Sequence, residues 1–163
     1  MTDQRIPWTH TPTATRGRRI ARKREDEHRS VLSRVPLFAS LPPRHVKRLA
    51  GATAIANFKE GDEIVKEAAA GSVFYVIAEG EAKVVRNGRA VARLKPGDFF
   101  GELSVLAGTP RTASVVAAAS PTRCVTLSAR NLRGVLKSEP DIAVRILEHV
   151  AQRLAALERP RAG

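Results

Sequence analysis

Sulfur and acid are both scarce in this chain, and long apolar runs are missing altogether. A single cysteine, Cys124, stands among 163 residues. No internal disulfide can form, and one thiol with distant histidines offers no zinc cluster. No stretch approaches the roughly 18 apolar residues that a membrane span needs. The first residues, Met1-Thr2-Asp3-Gln4-Arg5, carry no apolar signal segment. These absences lead to the expectation of a soluble, cytoplasmic protein without a transmembrane segment. Acidic residues number 16 against 28 Lys and Arg, for a formal net charge of +12. Length and a 43% hydrophobic share suit one globular domain with a real core and room for a tail.

The positive charge is unevenly placed. Residues 1–51 carry +8, residues 52–128 only +1, and residues 129–163 +3. Such asymmetry describes a basic arm on a balanced domain. The segment Thr9–Thr15 is polar and broken by proline, and Arg16–Arg24 then packs six cations into nine positions. Glu25-Asp26-Glu27 follows, so a short helix of alternating charge blocks is allowed here, marginal on its own in water. Residues 1–30 are expected to be a flexible basic arm, able to touch nucleic acid or an acidic surface weakly through Arg16–Arg24. A purely solvated tail is the competing reading.

The folded part is expected over residues 31–158, with 159–163 a short tail. Val31, Leu32, Val35 and Leu37-Phe38 open it with helical spacing. Pro42-Pro43 starts a second short helix that ends at Gly51. Between Ala52 and Ser128 the period changes to short runs rich in Val, Ile and aromatics. They fall near 54–58, 63–66, 73–78, 82–85, 90–94, 114–118 and 123–127. Turn signals such as Gly61-Asp62, Glu79-Gly80, Asn87-Gly88 and Pro96-Gly97-Asp98 separate them. Asn-Gly between two such runs is a strong hairpin signal. Many short strands at this spacing read as an antiparallel sandwich or jelly roll with helices at both ends, and the fold class expected is α+β, an antiparallel β-roll of the jelly-roll kind. Ser128 is a plausible N-cap. Leu132, Val135 and Leu136 then mark one short helix, and Ile142 through Leu157 a longer one from Asp141.

One stretch interrupts the strands: Phe99 to Ser114, with a glycine, an acid, one apolar helical turn and then Arg111. A short helix there can present N–H groups to an anion, and Arg111 offers a planar fork for two anionic oxygens. Glu102 is a carboxylate able to accept hydrogen bonds from sugar hydroxyls. Together these describe a phosphorylated sugar. The blander readings are that Glu102 and Arg111 pair with each other in an anion-free roll, and that Thr112 merely starts a strand.

At these residues the chain resembles the cyclic nucleotide-binding domain family. Phe100-Gly101-Glu102-Leu103-Ser104, six residues, then Arg111-Thr112-Ala113-Ser114 is similar to that family's phosphate-binding cassette nearly position for position. The likeness runs over about residues 31–158 and includes the Gly61-Asp62 turn, Tyr75-Val76-Ile77 with Gly80, and the Pro96-Gly97-Asp98 turn. The resemblance implies a ligand-binding set of Phe100, Gly101, Glu102, Leu103, Ser104, Arg111, Thr112 and Ala113. In it Glu102 holds the ribose 2′-hydroxyl and Arg111 the cyclic phosphate, with Thr112 and backbone groups completing the cradle. Leu154 and Leu157 fall where the last helix lays a lid over the base, or else belong to a helix face or dimer seam. The ligand implied is cAMP, with cGMP the other candidate; an aliphatic lid, offering guanine no polar partner, tips the balance to cAMP. The chain departs from the family at Glu67-Ala68-Ala69-Ala70-Gly71, where many relatives have an earlier glycine. Family regulators with a helix-turn-helix carry it after the long helix, and none is expected after the long helix here.

The function expected is a sensor or regulatory domain that reports ligand occupancy through its C-terminal helix to an unidentified effector protein. A homodimer through that helix is a further expectation. The alternative is a nucleic-acid-associated protein using the basic arm beside a vestigial sensor fold. Catalysis is not expected. A metal-dependent small barrel needs histidines inside it, and His10, His28, His45 and His149 all lie outside residues 52–128. No Ser-His or Cys-His grouping stands out, and Cys124 reads as core.

Overall fold

The computed structural model describes residues 14–159, with side chains from Arg18 onward. Helix α1 spans Ala14–Arg34 and α2 spans Pro43–Ala52. Eight strands follow: β1 Ala54–Phe58, β2 Glu63–Val65, β3 Val73–Glu79, β4 Ala82–Arg86, β5 Arg89–Leu94, β6 Phe99–Phe100, β7 Ser114–Ala117 and β8 Thr122–Ser128. Helix α3, Glu102–Ala107, sits between β6 and β7, and α4 Ala129–Ser138 and α5 Pro140–Glu158 close the chain. The strands form two antiparallel four-stranded sheets in the orders β1-β8-β3-β6 and β2-β7-β4-β5. This is the antiparallel β-roll with flanking helices expected from the sequence, one of the two architectures the turn spacing allows.

Local chemistry explains the elements. Asn87 and Gly88 join β4 to β5 with φ of 51° and 73°, the two positive values a type I′ hairpin turn requires. Ser128 caps α4, its Oγ accepting from the Asn131 amide at 3.1 Å. Prolines sit in the first turn of α2 and of α5, where a missing N–H costs nothing. Strand β6 is only two residues long; in the sequence Phe99-Phe100 is absorbed into the cassette.

Two cores hold the parts together. One lies between the sheets and contains Ile64, Ile77, Phe100, Val115 and Cys124. Burial there pushes the Cys124 thiol up to about 12, so Cys124 is an inert core residue. The other lies under the helices, where Val31, Leu32, Leu49, Leu132, Ile142 and Ile146 pack on Phe74, Phe99 and Leu127.

The boundary expected at residue 30 falls inside α1. Helix α1 runs without a break from Ala14, and its attachment begins before Ser30. The His28 ring makes a 2.8 Å hydrogen bond with the Thr53 hydroxyl, and Glu27 lies 3.7 Å from Arg123. The first thirteen residues of the expected arm, and the tail after Arg159, lie outside the described residues. No helix among those described is long and apolar enough to cross a membrane.

Burial lowers the His28 pKa below its usual value of 6.5. The unfolded chain therefore binds the proton more readily, and stability is fully present above about pH 6.5 and falls as pH drops through the lower folded value. His28→Gln should flatten this acid-side decline of the melting temperature relative to wild type. Identical decline in the two proteins would show that His28 is not its source.

Candidate functional site

Arg111 enters the fold at the end of the loop between α3 and β7, and the loop between β2 and β3 holds it from the other side. The Arg111 amide donates to the Ala69 carbonyl and the Ala68 amide to the Arg111 carbonyl, both at 2.8 Å. Its guanidinium is turned inward: Nη2 donates to the Val73 carbonyl at 2.7 Å and Nη1 to the Gly101 carbonyl at 3.3 Å. The cation lies 6.0 Å from the Tyr75 ring centre, and Tyr75 stacks on Phe100 at 4.9 Å. Arg111 is 7% exposed, and burial pulls its pKa below the usual value, opposed by Tyr75 and Glu102. A guanidinium nevertheless stays charged in a protein. The site therefore contains a desolvated positive charge whose described partners are neutral carbonyls.

Glycines make room for it. A Cβ on Gly71 would sit 2.0 Å from Arg111 Nε. One on Gly101 would sit 2.5 Å from Arg111 Nη1, and Gly101 has φ of 89°, so neither position accepts a larger residue without moving the arginine. The Glu67–Gly71 departure keeps its essential glycine at 71. Its cost appears at Ala68, which takes φ of 66°, a left-handed conformation that disfavours residues with a Cβ.

Glu102, the first residue of α3, is 1% exposed. Its Oε1 accepts from Arg153 Nη1 on α5 at 2.6 Å, while Oε2 is buried without a partner. A buried acceptor left unmet costs about 1–3 kcal/mol, more when it is charged. Glu102 and Arg111 thus do not pair with each other by hydrogen bond.

These residues line one cavity of about 440 Å³. Phe100, Gly101, Glu102, Leu103, Ser104, Arg111, Thr112 and Ala113 all lie on it. Val84, Arg86, Val91, Ala92 and Leu94 from the β4–β5 hairpin form the opposite wall, and α5 contributes His149, Arg153, Ala156 and Leu157. Of the two lid candidates, Leu154 does not line the cavity and is 55% exposed. Residues three apart on a helix differ by about 60° in direction. That is enough to put Leu157 at the cavity rim and Leu154 outside it. The sequence pattern also fails to reveal Arg153, His149, Ala156 and Arg86. A spacing of 149, 153 and 156 on one face is the available signal, but polar residues there resemble an ordinary solvated face.

The comparisons with known proteins agree with this geometry. The sequence profile of the family described as "Cyclic nucleotide-binding domain" matches residues 55–139. The chain is 38% identical over 110 residues to a cGMP-dependent protein kinase of Toxoplasma gondii, covering 68% of this chain and 11% of the kinase. It is 39% identical over 98 residues to a cAMP-dependent protein kinase regulatory subunit of Hypocrea atroviridis, covering 60% and 21%. Among solved structures, the regulatory domain of Toxoplasma gondii PKA with cAMP superposes with a TM-score of 0.67 at 26% identity, covering 80% of this chain and 52% of that one. The catabolite activator protein of Thermus thermophilus gives 0.68 at 28% identity, covering 76% and 60%. The matches define a ligand-sensing class of β-roll. This chain belongs to the cyclic nucleotide-binding domain family, and it spans about a tenth to a fifth of the length of these two curated relatives.

Relief of the Ala68 conformation gives a direct check on the loop that clamps Arg111. A left-handed residue costs roughly 1–2 kcal/mol, whereas glycine gives up roughly 0.5–1 kcal/mol of chain entropy. Ala68→Gly should therefore raise stability by about 0.5–1 kcal/mol, read as a higher melting temperature. A lower melting temperature would contradict the strained loop.

Proposed function

We propose that this domain binds a purine 3′,5′-cyclic nucleotide, cAMP in the first instance, in the cavity between the cassette and α5. The observation that carries the proposal is the buried Glu102 carboxylate with Oε2 unmet beside a desolvated Arg111. A ribose 2′-hydroxyl supplies the donor that Oε2 needs, and a cyclic phosphate supplies the anion for Arg111. The amides of the Gly101–Leu103 turn and the Thr112 hydroxyl complete the cradle. The base would lie between the apolar wall of Val84, Ala92 and Leu94 and the end of α5.

Occupancy would be felt in α5. From Ala151 to Arg159 every residue of the last helical turns is exposed, and Arg153 ties this segment to Glu102. The same carboxylate would then hold the ligand on one oxygen and the helix on the other. A ligand that strengthens this arrangement favours the closed position of α5 by its differential affinity for it. Regulation of an effector protein through α5 follows as a proposal. So does a homodimer, supported by the exposed stripe Val144, Leu147, Ala151 and Leu154 at alternating three- and four-residue spacing.

A second reading is cGMP. Arg86 lines the cavity and donates to the Thr112 carbonyl at 3.2 Å, so the wall is not purely aliphatic. An arginine can donate to guanine O6 and N7. The cAMP preference expected from an aliphatic lid therefore loses part of its basis, and competition between the two nucleotides decides.

Calorimetric titration with cAMP, cGMP and 2′-deoxy-cAMP tests the reading. Removing one partner of a desolvated charge pair costs roughly 2–5 kcal/mol, so Arg111→Ala should weaken cyclic nucleotide by more than about tenfold. Glu102→Gln should weaken cAMP while narrowing its advantage over the 2′-deoxy analogue. Wild-type affinity in a folded Arg111→Ala protein would sink the assignment. The lid makes a separate forecast: Leu157→Ala should speed cAMP dissociation and Leu154→Ala should not. Equal acceleration by both would return Leu154 to the site.

A further inference from the structure

A second set of exposed cations lies on α2 and α4, outside the cavity lining and distinct in sequence from Arg16–Arg24. Helices α2 and α4 run antiparallel and are fastened at both ends. Asn131 Nδ2, in the first turn of α4, donates to the Ala52 carbonyl at the end of α2 at 2.8 Å. At the other end His45 Nδ1 lies 2.9 Å from Glu139 Oε2, at the junction of α4 and α5. Both helices press their apolar faces, Val46 with Leu49 and Leu132 with Val135, into the same core.

At 100° per residue, the outward face of α2 is centred on Arg44, Lys47 and Arg48, and that of α4 on Arg130, Arg133 and Lys137. All six are exposed. Neither helix contains an acidic residue. Among the described residues none of the six is in an ion pair. Each face also carries a glycine, Gly51 and Gly134, where a Cβ would meet nothing within 4 Å. Packing does not call for them, and a helical glycine costs about 0.5–1 kcal/mol relative to alanine. What they leave is bare backbone between cations, open to close approach from outside.

We propose that the α2–α4 face binds the phosphate backbone of a nucleic acid duplex without reading its sequence. Two rows of cations, about 6 Å long on α2 and about 10 Å on α4, face a polymer that carries one negative charge per roughly 1.7 Å. The exposed large apolar residues lie elsewhere, on α1, β5, α3 and α5. The face thus has nothing to insert into a bilayer, and its attraction is electrostatic alone. Arg133 also donates to the Val105 carbonyl at 3.3 Å, so it has a structural task as well.

The test is fluorescence anisotropy of a labelled mixed-sequence DNA duplex against the full chain, between about 50 and 200 mM salt. One variant carries Arg44→Gln, Lys47→Gln and Arg48→Gln; another carries Arg130→Gln and Lys137→Gln, sparing Arg133. A third carries Arg18→Gln, Arg19→Gln, Arg22→Gln and Lys23→Gln in α1. Thermal melts and cAMP titrations accompany each, since none of the helix-face residues lines the cavity. Both α2 and α4 variants should weaken duplex binding and reduce the salt slope by about 0.9 for every phosphate that is no longer neutralised. The matching variants in which the arginines become lysine should keep that slope, separating charge from folding. An unchanged slope in both helix variants, or a weakening confined to the α1 variant, would overturn the proposal. So would binding to phosphatidylserine vesicles without binding to the duplex.

Discussion

Closing one end of a β-roll over a carboxylate and a guanidinium that do not satisfy each other is the constraint on which this structure turns. Glu102 is almost fully buried and holds Arg153 with one oxygen while the other has no donor. Arg111, also buried, spends its described hydrogen bonds on two backbone carbonyls. A core built only for stability would replace both by apolar residues, since desolvating charge without full pairing is costly. The surrounding fold instead keeps them where they are. Gly71 and Gly101 leave room for the arginine, and Ala68 accepts a left-handed backbone in the loop that clamps it.

The same constraint explains how a small cavity can be connected to a long helix. Helix α5 is anchored at its beginning by Ile142 and Ile146 in the helical core. Its far half is exposed and returns to the roll at Arg153. The helix is thus buried at its start and held at the site by Arg153. Under the proposed function, a ligand bound at Glu102 would act on the helix through one shared carboxylate. The α2–α4 face lies beside the start of α5, joined to it through His45 and Glu139.

Much of this is legible in the sequence because its signals are local. Strand positions follow from turn chemistry, and the Asn87-Gly88 hairpin and the Ser128 cap hold as expected. Glu102 and Arg111 stand out by their chemistry, and the rest of the cassette from Phe100 to Ala113 through its resemblance to the family's phosphate-binding cassette. Contacts made at long range are not legible. Nothing in the pattern says that Arg153 reaches back 51 residues to Glu102. Leu154 and Leu157 look equivalent by spacing, and only packing separates them. A short helix over the charge blocks is allowed by the sequence, but its unbroken run into the folded part is not legible, because residues 14–27 bury no apolar stripe; Ala, Arg, Lys and Glu favour helix there, and docking at His28 supplies the rest.

A structure of the full chain determined with cAMP tests the central claim most directly. The ribose 2′-hydroxyl should lie on Glu102 Oε2 and the cyclic phosphate on Arg111, with Arg153 still on Glu102 Oε1. A cavity that stays empty at saturating nucleotide, with Arg111 held by the Val73 and Gly101 carbonyls alone, would contradict that claim.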